Sequence, residues 1–481
     1  MLHHRWLFAD QLGPHFLDDD RQPVLLIETK GIFRARPMHR QKAHLILSAL
    51  RHRAAELGER ALLVRAETFR EGLRQVTTGP VEVCHPTSRA ALRFVRSVDG
   101  LTVLPPRGFL TRFDDFTEWA DRGRRAPLRV DDFYRFARKR HRILTSGRPA
   151  SAGRATPVPT APLPPPPAVV EDDIDAGVRR DLDRWAAEGI RFVGRDAPRA
   201  YPVTHAEATA RLRHFLTHRL PAYGRHREAL RPDDPTLAHS LLSSSLNLGL
   251  LDPAEVVRAV EARYRTGQVP RSAAEAFLRQ LVGWREFLWQ LYWYFAPAYR
   301  GRDWLPATGP LPDWFRDLDA DTVRARCLAD TLRAVRDTGW AHQTRRLLVL
   351  GNHALQQGWR PDELTAWFRD SFVDGTDWVM NATVVGMSQY ADLARIDTRP
   401  YAVDGRHLAD LGADCAGCRY RPEQAVGPDA CPFTGGFEAF LDRNRTRLAG
   451  DPRFAAALAG RDDRARHGAA PQEEAREHAA P

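Results

Sequence analysis

Cys415-Ala416-Gly417-Cys418, followed by Cys431-Pro432, is the stretch around which the chain is organised. Only five cysteines occur in 481 residues, and three of them fall here. A fourth, Cys327, lies upstream on a segment with helical spacing, so a site built from all four would tie a late loop back onto an earlier helix. Thiolates bind soft metals, and Cys-x2-Cys puts two sulfurs on one tight turn with little further backbone to order. Ordinary buried cysteines share this pattern, and a four-thiolate site suits zinc as well as an iron–sulfur cluster. In a reducing compartment, clustered cysteines serve as metal ligands or redox groups rather than disulfides.

Around that stretch the chain from 201 to 450 reads as all-helical. Thr204 followed by Glu207 is a capping box that opens a helix to about residue 220. Further helices are expected at 252–266, 272–295, 321–337, 341–357, 361–372 and 435–448. Residues 1–145 have a different grammar. Short β-rich runs at 5–9, 24–28, 61–65, 81–85 and 101–104 alternate with helical signals at 39–57 and 87–98, which predicts a small α/β domain with a doubly wound parallel sheet. Such sheets bind ligands beyond the carboxyl ends of their strands, where Asp10-Gln11 sits. No Gly-x-Gly-x-x-Gly or Walker motif follows any strand, which removes a dinucleotide or NTP site. Cys84, alone in a strand, reads as a small buried hydrophobe. Residues 146–200 open Pro-, Ala- and Gly-rich, with Pro164 to Pro167 in a row, and read as an interdomain connector. Residues 451–481 read as a frayed tail.

A chain of 481 residues exceeds one compact core, and 43% hydrophobic content supports more than one. Lys+Arg 71 against Asp+Glu 61 leaves +10, a balance that favours an anionic partner such as nucleic acid. No apolar run reaches membrane-spanning length and the start lacks a signal-peptide core, so a cytoplasmic protein, a monomer without membrane contact, is expected.

Three helical stretches mix polar groups into apolar surroundings. His239-Ser240-Leu-Leu-Ser243-Ser-Ser-Leu-Asn247 interleaves hydroxyls with leucines, a pattern that can face a core while offering donors to a phosphate. The helix from Ser272 carries an aromatic stripe, Phe277, Trp284 and Tyr292 among it, with Arg279, Arg285 and Glu286 off the stripe. Trp289, Trp293 and Tyr294 leave further aromatics, which suit core packing, a buried planar cofactor or stacked bases. His342 and Arg346 stand four apart on one helix face, before Trp367-Phe368 and Asp374-Gly-Thr-Asp377-Trp378. His214 and His218 are also four apart, but no Glu follows the first as a zinc-protease helix requires.

Taken together, these segments resemble the iron–sulfur bacterial cryptochromes and photolyases. The resemblance runs from about residue 5 to 450. It rests on Asp10-Gln11-Leu12, His239-Ser-Leu-Leu-Ser, Arg279-Gln-Leu-Val-Gly-Trp-Arg-Glu-Phe, Gly351-Asn352, Gly386-Met-Ser-Gln-Tyr-Ala-Asp392, Pro400-Tyr401 and the four late cysteines. It implies an FAD enzyme of the DNA photolyase type, in which light drives an electron from reduced flavin to a (6-4) pyrimidine photoproduct in ultraviolet-damaged DNA. It places His239, Ser240, Ser243, Asn247, Arg279, Trp284, Arg285, Arg346, Asn352, Asp374 and Met380 around the FAD. It makes Cys327, Cys415, Cys418 and Cys431 the ligands of a [4Fe-4S] cluster, and Asp10 and Gln11 part of a lumazine antenna site.

The departures from the family pattern are specific. The resemblance puts a catalytic pair of histidines at His342-Gln343, and glutamine does not titrate near neutral pH. Met380 stands where the family faces the flavin with an acidic side chain, and it can hold neither proton nor charge. Trp367 keeps its place in the family's electron path, but Phe368 and Asp319 replace better electron donors there, and Ile32 replaces a glutamate of the antenna site. Weaker photoreduction and an altered proton route are therefore expected, and a non-repair blue-light photoreceptor, or a DNA-binding homologue with lapsed catalysis, is the alternative.

Overall fold

Val-, Leu- and Ile-rich strands place their side chains alternately on two faces, and in this protein both faces are covered. The computed structural model describes residues 3–76, 79–122, 127–145, 163–226, 236–295, 304–391, 401–412 and 415–466, the side chains at 225, 226 and 465 aside. The expectations for 146–162, Asp392, Pro400 and 467–481 lie outside these residues.

Strands β1 (His4–Leu7), β2 (Val24–Thr29), β4 (Ala61–Ala66), β5 (Val81–Cys84) and β6 (Leu101–Leu104) form a parallel sheet in the order β4-β2-β1-β5-β6. Leu25 and Ile27 of β2 join one apolar cluster and Val24 and Leu26 the other, as a sheet with helices on both sides requires. The order reverses between β1 and β5. That gap is the place where an open α/β sheet receives a ligand.

Two short strands were not legible in the sequence. β3 (Met38–His39) and β7 (Phe192–Val193) pair in parallel and form a two-stranded sheet apart from the main one. Just before β7, the helix Asp173–Ala187 lies inside the span expected to be connector. Asp172 caps it, accepting from the backbone N–H groups of Ile174 and Asp175, and Val178, Leu182 and Trp185 bury against Phe33, Met38 and Leu47. Burying these side chains, at about 1.5–3 kcal/mol for each one fully buried, stabilises the helix in spite of the Pro-rich composition upstream.

The helical part follows its local signals closely. Thr204 and Glu207 make the capping box at the head of the helix His205–His214. Asp252 caps the helix Pro253–Arg265 with Pro253 in its first turn. The segments Arg271–Leu278, Arg279–Arg285 and Glu286–Tyr294 run on as one helix. Beyond it come Arg326–Thr338, Arg345–Gly351 continued by Asn352–Gln357, Pro361–Ser371, Asp377–Met380 continued by Asn381–Ser388, and Pro432–Leu448. The helix Ala455–Arg466 corrects the expected tail. Phe454 and Leu458 bury against Phe440 and Leu448, and the buried Arg461 pairs with Asp442 at 2.8 Å.

No wide seam separates the two parts. One apolar cluster runs from Leu7 and Leu26 of the sheet to Phe287 and Trp289 of the bundle. Polar groups pin the seam as well. The buried Glu286 carboxylate accepts from the N–H groups of Leu110 and Thr111, both at 3.0 Å, and Lys42 donates to the Gly375 carbonyl at 2.7 Å.

Candidate functional site

Among the described residues four helical segments widen to π geometry, and three of them, Arg279–Arg285, Arg345–Gly351 and Asn381–Ser388, wall one chamber, while Phe215–Arg219 does not. A π turn inserts an extra residue into the i→i−4 ladder, so side chains that would point elsewhere are swung to one face. Trp284, Arg285, Arg346 and Thr383 reach the chamber from these turns. The turns have no sequence signature, and the sequence did not disclose them.

The chamber has a volume of about 890 Å³, in the range of sites for small-molecule cofactors. Its polar edge is tied together by the protein's own hydrogen bonds. Arg346 grips the Asp374 carboxylate with two hydrogen bonds, at 2.8 and 3.2 Å, and donates from Nε to the Ala341 carbonyl at 2.7 Å. Asn247 donates to the Asp374 carbonyl at 2.9 Å. Burial alone would push the Asp374 carboxyl up, but Arg346, with hydrogen bonds from Arg346 and Ser243, holds it below the usual carboxylate range. Behind this edge stands Lys42, brought from the α/β domain. Burial lowers its pKa to about 8 against the pull of Asp370 and Asp374. Gly375 has no room for a side chain, since a Cβ there would meet the Arg369 carbonyl oxygen at 2.4 Å.

On another wall the rings of His239 and His342 stack at 3.8 Å between centroids, 19° from parallel. Gln343 lines the chamber beside them, as do Ser240, Met380 and Phe368. Arg285 lies over Phe109 at 4.2 Å and over Trp378 at 5.4 Å. It donates to the Gly108 carbonyl at 2.9 Å, and burial lowers its pKa to about 10 despite Glu286 at 3.7 Å. Burial likewise raises the Glu286 carboxyl to about 7. Arg285 Nε and Thr383 Oγ1 are buried on this chamber without a hydrogen-bond partner. Buried polar atoms are normally satisfied, so these orphans are what a polar ligand would complete.

Thus His239, Ser240, Ser243, Asn247, Trp284, Arg285, His342, Gln343, Arg346, Phe368, Asp374 and Met380 converge as the sequence placed them. Three do not. Arg279 turns outward to Asp131 and lies over the Tyr134 ring at 4.9 Å, because its place on the widened turn faces the Val130–Arg140 helix. Asn352 sits behind the wall, where it donates to the Val403 carbonyl at 2.9 Å and so holds the lining residues Tyr401 to Val403. Trp367 is buried behind Phe368, donating to the Arg316 carbonyl at 3.2 Å. The sequence missed Trp378 as a wall residue and Lys42 as the support of Asp374.

The turn that carries Cys415 and Cys418 packs on the helix that carries Cys327, and Cys327 packs against the apolar cluster that contains Cys431. Cys415 and Cys418 share a tight turn closed by a 3.1 Å backbone hydrogen bond, Cys327 opens the Arg326–Thr338 helix, and Cys431 caps Pro432–Leu448. All are free thiols. Burial raises the Cys327 thiol strongly, and its neighbours Cys431, Cys415 and Cys418 raise it further. Neighbouring thiols that disfavour each other's ionisation are what a bound metal ion reverses. At the sheet's switch point, Gln11 donates to the Cys84 carbonyl at 3.1 Å, and the half-buried Asp10 accepts from Thr87 while its buried Oδ1 stays unpartnered.

Comparison with known proteins agrees with this architecture. Residues 5–184 match the family model described as deoxyribodipyrimidine photo-lyase-related protein. The (6-4) photolyase of Agrobacterium fabrum is 30% identical, with 93% of each chain covered. Among solved structures, a bacterial class III photolyase from Agrobacterium tumefaciens superposes with a TM-score of 0.56 at 16% identity, over 93% of this chain and 98% of that one. A cryptochrome from Synechocystis sp. PCC6803 superposes with a TM-score of 0.59 at 14% identity, over 96% and 98%.

Proposed function

This chain belongs to the photolyase and cryptochrome family, and we propose that it is a flavoprotein using blue light to pass an electron from reduced FAD to a (6-4) pyrimidine photoproduct in DNA. The observation that carries the proposal is the preassembled edge of Arg346, Asp374, Ser243 and Asn247 on a chamber of about 890 Å³.

The residues present fit FAD. Ser240 and His239 offer donors for the diphosphate, while Ser243 holds Asp374. Trp284, Met380 and Phe368 give a planar ring system a dry wall, while the orphaned Arg285 Nε and Thr383 Oγ1 offer it hydrogen bonds. When bound, FAD supplies the light absorption and the one-electron chemistry that no side chain can. The protein's own part is to exclude water, fix orientation and handle protons. His342 lines the wall with His239 stacked on it, and Gln343 beside it can orient a substrate hydroxyl without titrating. The +10 charge supports DNA as the partner, with affinity that falls as salt rises.

Cys327, Cys415, Cys418 and Cys431 would hold a [4Fe-4S] cluster. Four thiolates suit zinc as well as an iron–sulfur cluster, and analysis of the purified protein for iron and sulfide separates the two.

Gln343 and Met380 on the chamber wall favour a second reading, a blue-light photoreceptor that keeps FAD but not repair. Purified protein, reduced and illuminated at blue wavelengths with DNA carrying a (6-4) photoproduct, separates the two. Light-dependent return of the two pyrimidines is expected; bound flavin with no repair would leave the photoreceptor.

A further inference from the structure

Tryptophan gives up an electron more readily than phenylalanine, so an unbroken chain of indoles from a flavin site is a route for charge. Such a chain starts at Trp378, which is buried and forms part of the chamber wall. Behind it Trp289 lies 5.9 Å away between ring centroids, at 90°, and Trp293 lies 5.5 Å beyond, at 73°. Phe109 fills the angle between the first two, parallel to Trp289 at 3.9 Å and 5.4 Å from Trp378. Trp289 and Trp293 are four apart on one helix, and Trp293 is half-buried where the sheet's core meets the bundle.

The route through Phe368 is different. Phe368 faces the chamber, and Trp367 behind it touches Phe315, Phe368 and Phe372. An electron leaving Trp367 must cross a phenylalanine to reach the chamber.

We propose that Trp378, Trp289 and Trp293 form the one-electron relay that reduces the flavin, in place of a route through Phe368 and Trp367. The proposal rests on the flavin reading above. Trp378 gives one electron to the light-excited oxidised flavin, Trp289 refills Trp378, and Trp293 refills Trp289. The net change is one electron lost by Trp293. A small thiolate in solution returns it, and two of the resulting sulfur radicals join as a disulfide.

Charges along the path favour this direction. The Arg285 guanidinium, 5.4 Å from the Trp378 ring, opposes a positive charge resting there, and Glu286 at 3.7 Å from Arg285 offsets part of that. Trp293 faces instead the His85 ring at 4.7 Å, which burial keeps neutral. Neither Trp289 nor Trp293 has an acceptor for its indole N–H, so the travelling charge keeps its proton until it reaches the end.

The test uses the full chain in four variants, Trp378→Phe, Trp289→Phe, Trp293→Phe and Trp367→Phe, each checked first for its flavin absorption band. Flash-induced tryptophan-radical absorption and the rate of flavin reduction under blue light with dithiothreitol are then recorded. Trp378→Phe and Trp289→Phe should slow reduction by an order of magnitude, Trp293→Phe should shorten the radical's lifetime, and Trp367→Phe should match wild type. Trp289 is off the chamber wall, so it decides the matter if Trp378→Phe fails to fold. Wild-type reduction in Trp289→Phe, or its loss in Trp367→Phe, overturns the relay while leaving the flavin site standing. Wild-type protein that never binds flavin overturns both.

Discussion

The chamber and the thiol cluster are both built from the helical part, but they are stabilised in opposite ways. At the chamber the charged groups answer one another: Arg346 holds Asp374, and Asn247 and Lys42 hold the backbone around it. At the cluster, burial and then the neighbouring Cys431, Cys415 and Cys418 raise the Cys327 thiol, so these groups oppose one another's ionisation. A preformed site should tolerate loss of its ligand, whereas a site whose groups oppose one another should need its metal in order to fold.

The largest effect should therefore fall on the cluster. Cys418→Ala should leave the 415–431 loop without its anchor to the Cys327 helix and give insoluble or iron-free protein, read as soluble yield and iron content. Soluble protein melting as wild type would erase the contrast. Asp374→Ala comes next. It strands the Arg346 guanidinium in a buried position, which costs about 3–5 kcal/mol when one partner of a buried pair is removed. Urea unfolding and flavin retention should both report it, and an unchanged midpoint would show that the pair contributes nothing.

A smaller effect concerns pH. Burial raises the Glu286 carboxyl from its ordinary 4.5 to about 7. The folded state then binds more protons than the unfolded one between those values, so this group's contribution is complete below about 4.5 and is lost as pH rises through about 7. Glu286→Gln should remove that slope, and the difference between the two stability curves should grow from pH 5 to pH 8. Parallel curves would refute the burial account. The smallest effect belongs to Arg279→Ala, whose exposed pairing with Asp131 is worth about 0–1 kcal/mol. Flavin content should not change; its loss would return Arg279 to the chamber.

Much of this was legible beforehand, for identifiable reasons. Thr204 and Glu207, Asp252 and Pro253, and the strands at 24, 61 and 101 are local signals, and each element formed within a few residues of its expected span. The chamber residues came from segment resemblance, and most converge because each segment is one turn of helix or loop with little freedom. What failed needed knowledge of the whole fold. Arg279 and Arg285 sit on one widened turn, and only the packing of Tyr134 against that turn decides which faces inward. Lys42 supports Asp374 from another domain across a gap of more than three hundred residues in sequence, beyond any periodicity. The helix Asp173–Ala187 was hidden by the Pro-rich run before it, although Asp172 and Asp175 carried its capping signal.

The most direct test of the central claim is the absorption spectrum of freshly purified full-length protein, followed by identification of what denaturation releases. The flavin-chamber account predicts a structured flavin band in the blue and FAD released in proportion to protein, with both reduced in Asp374→Ala. A spectrum with only a broad cluster band, and no FAD on release, would contradict it.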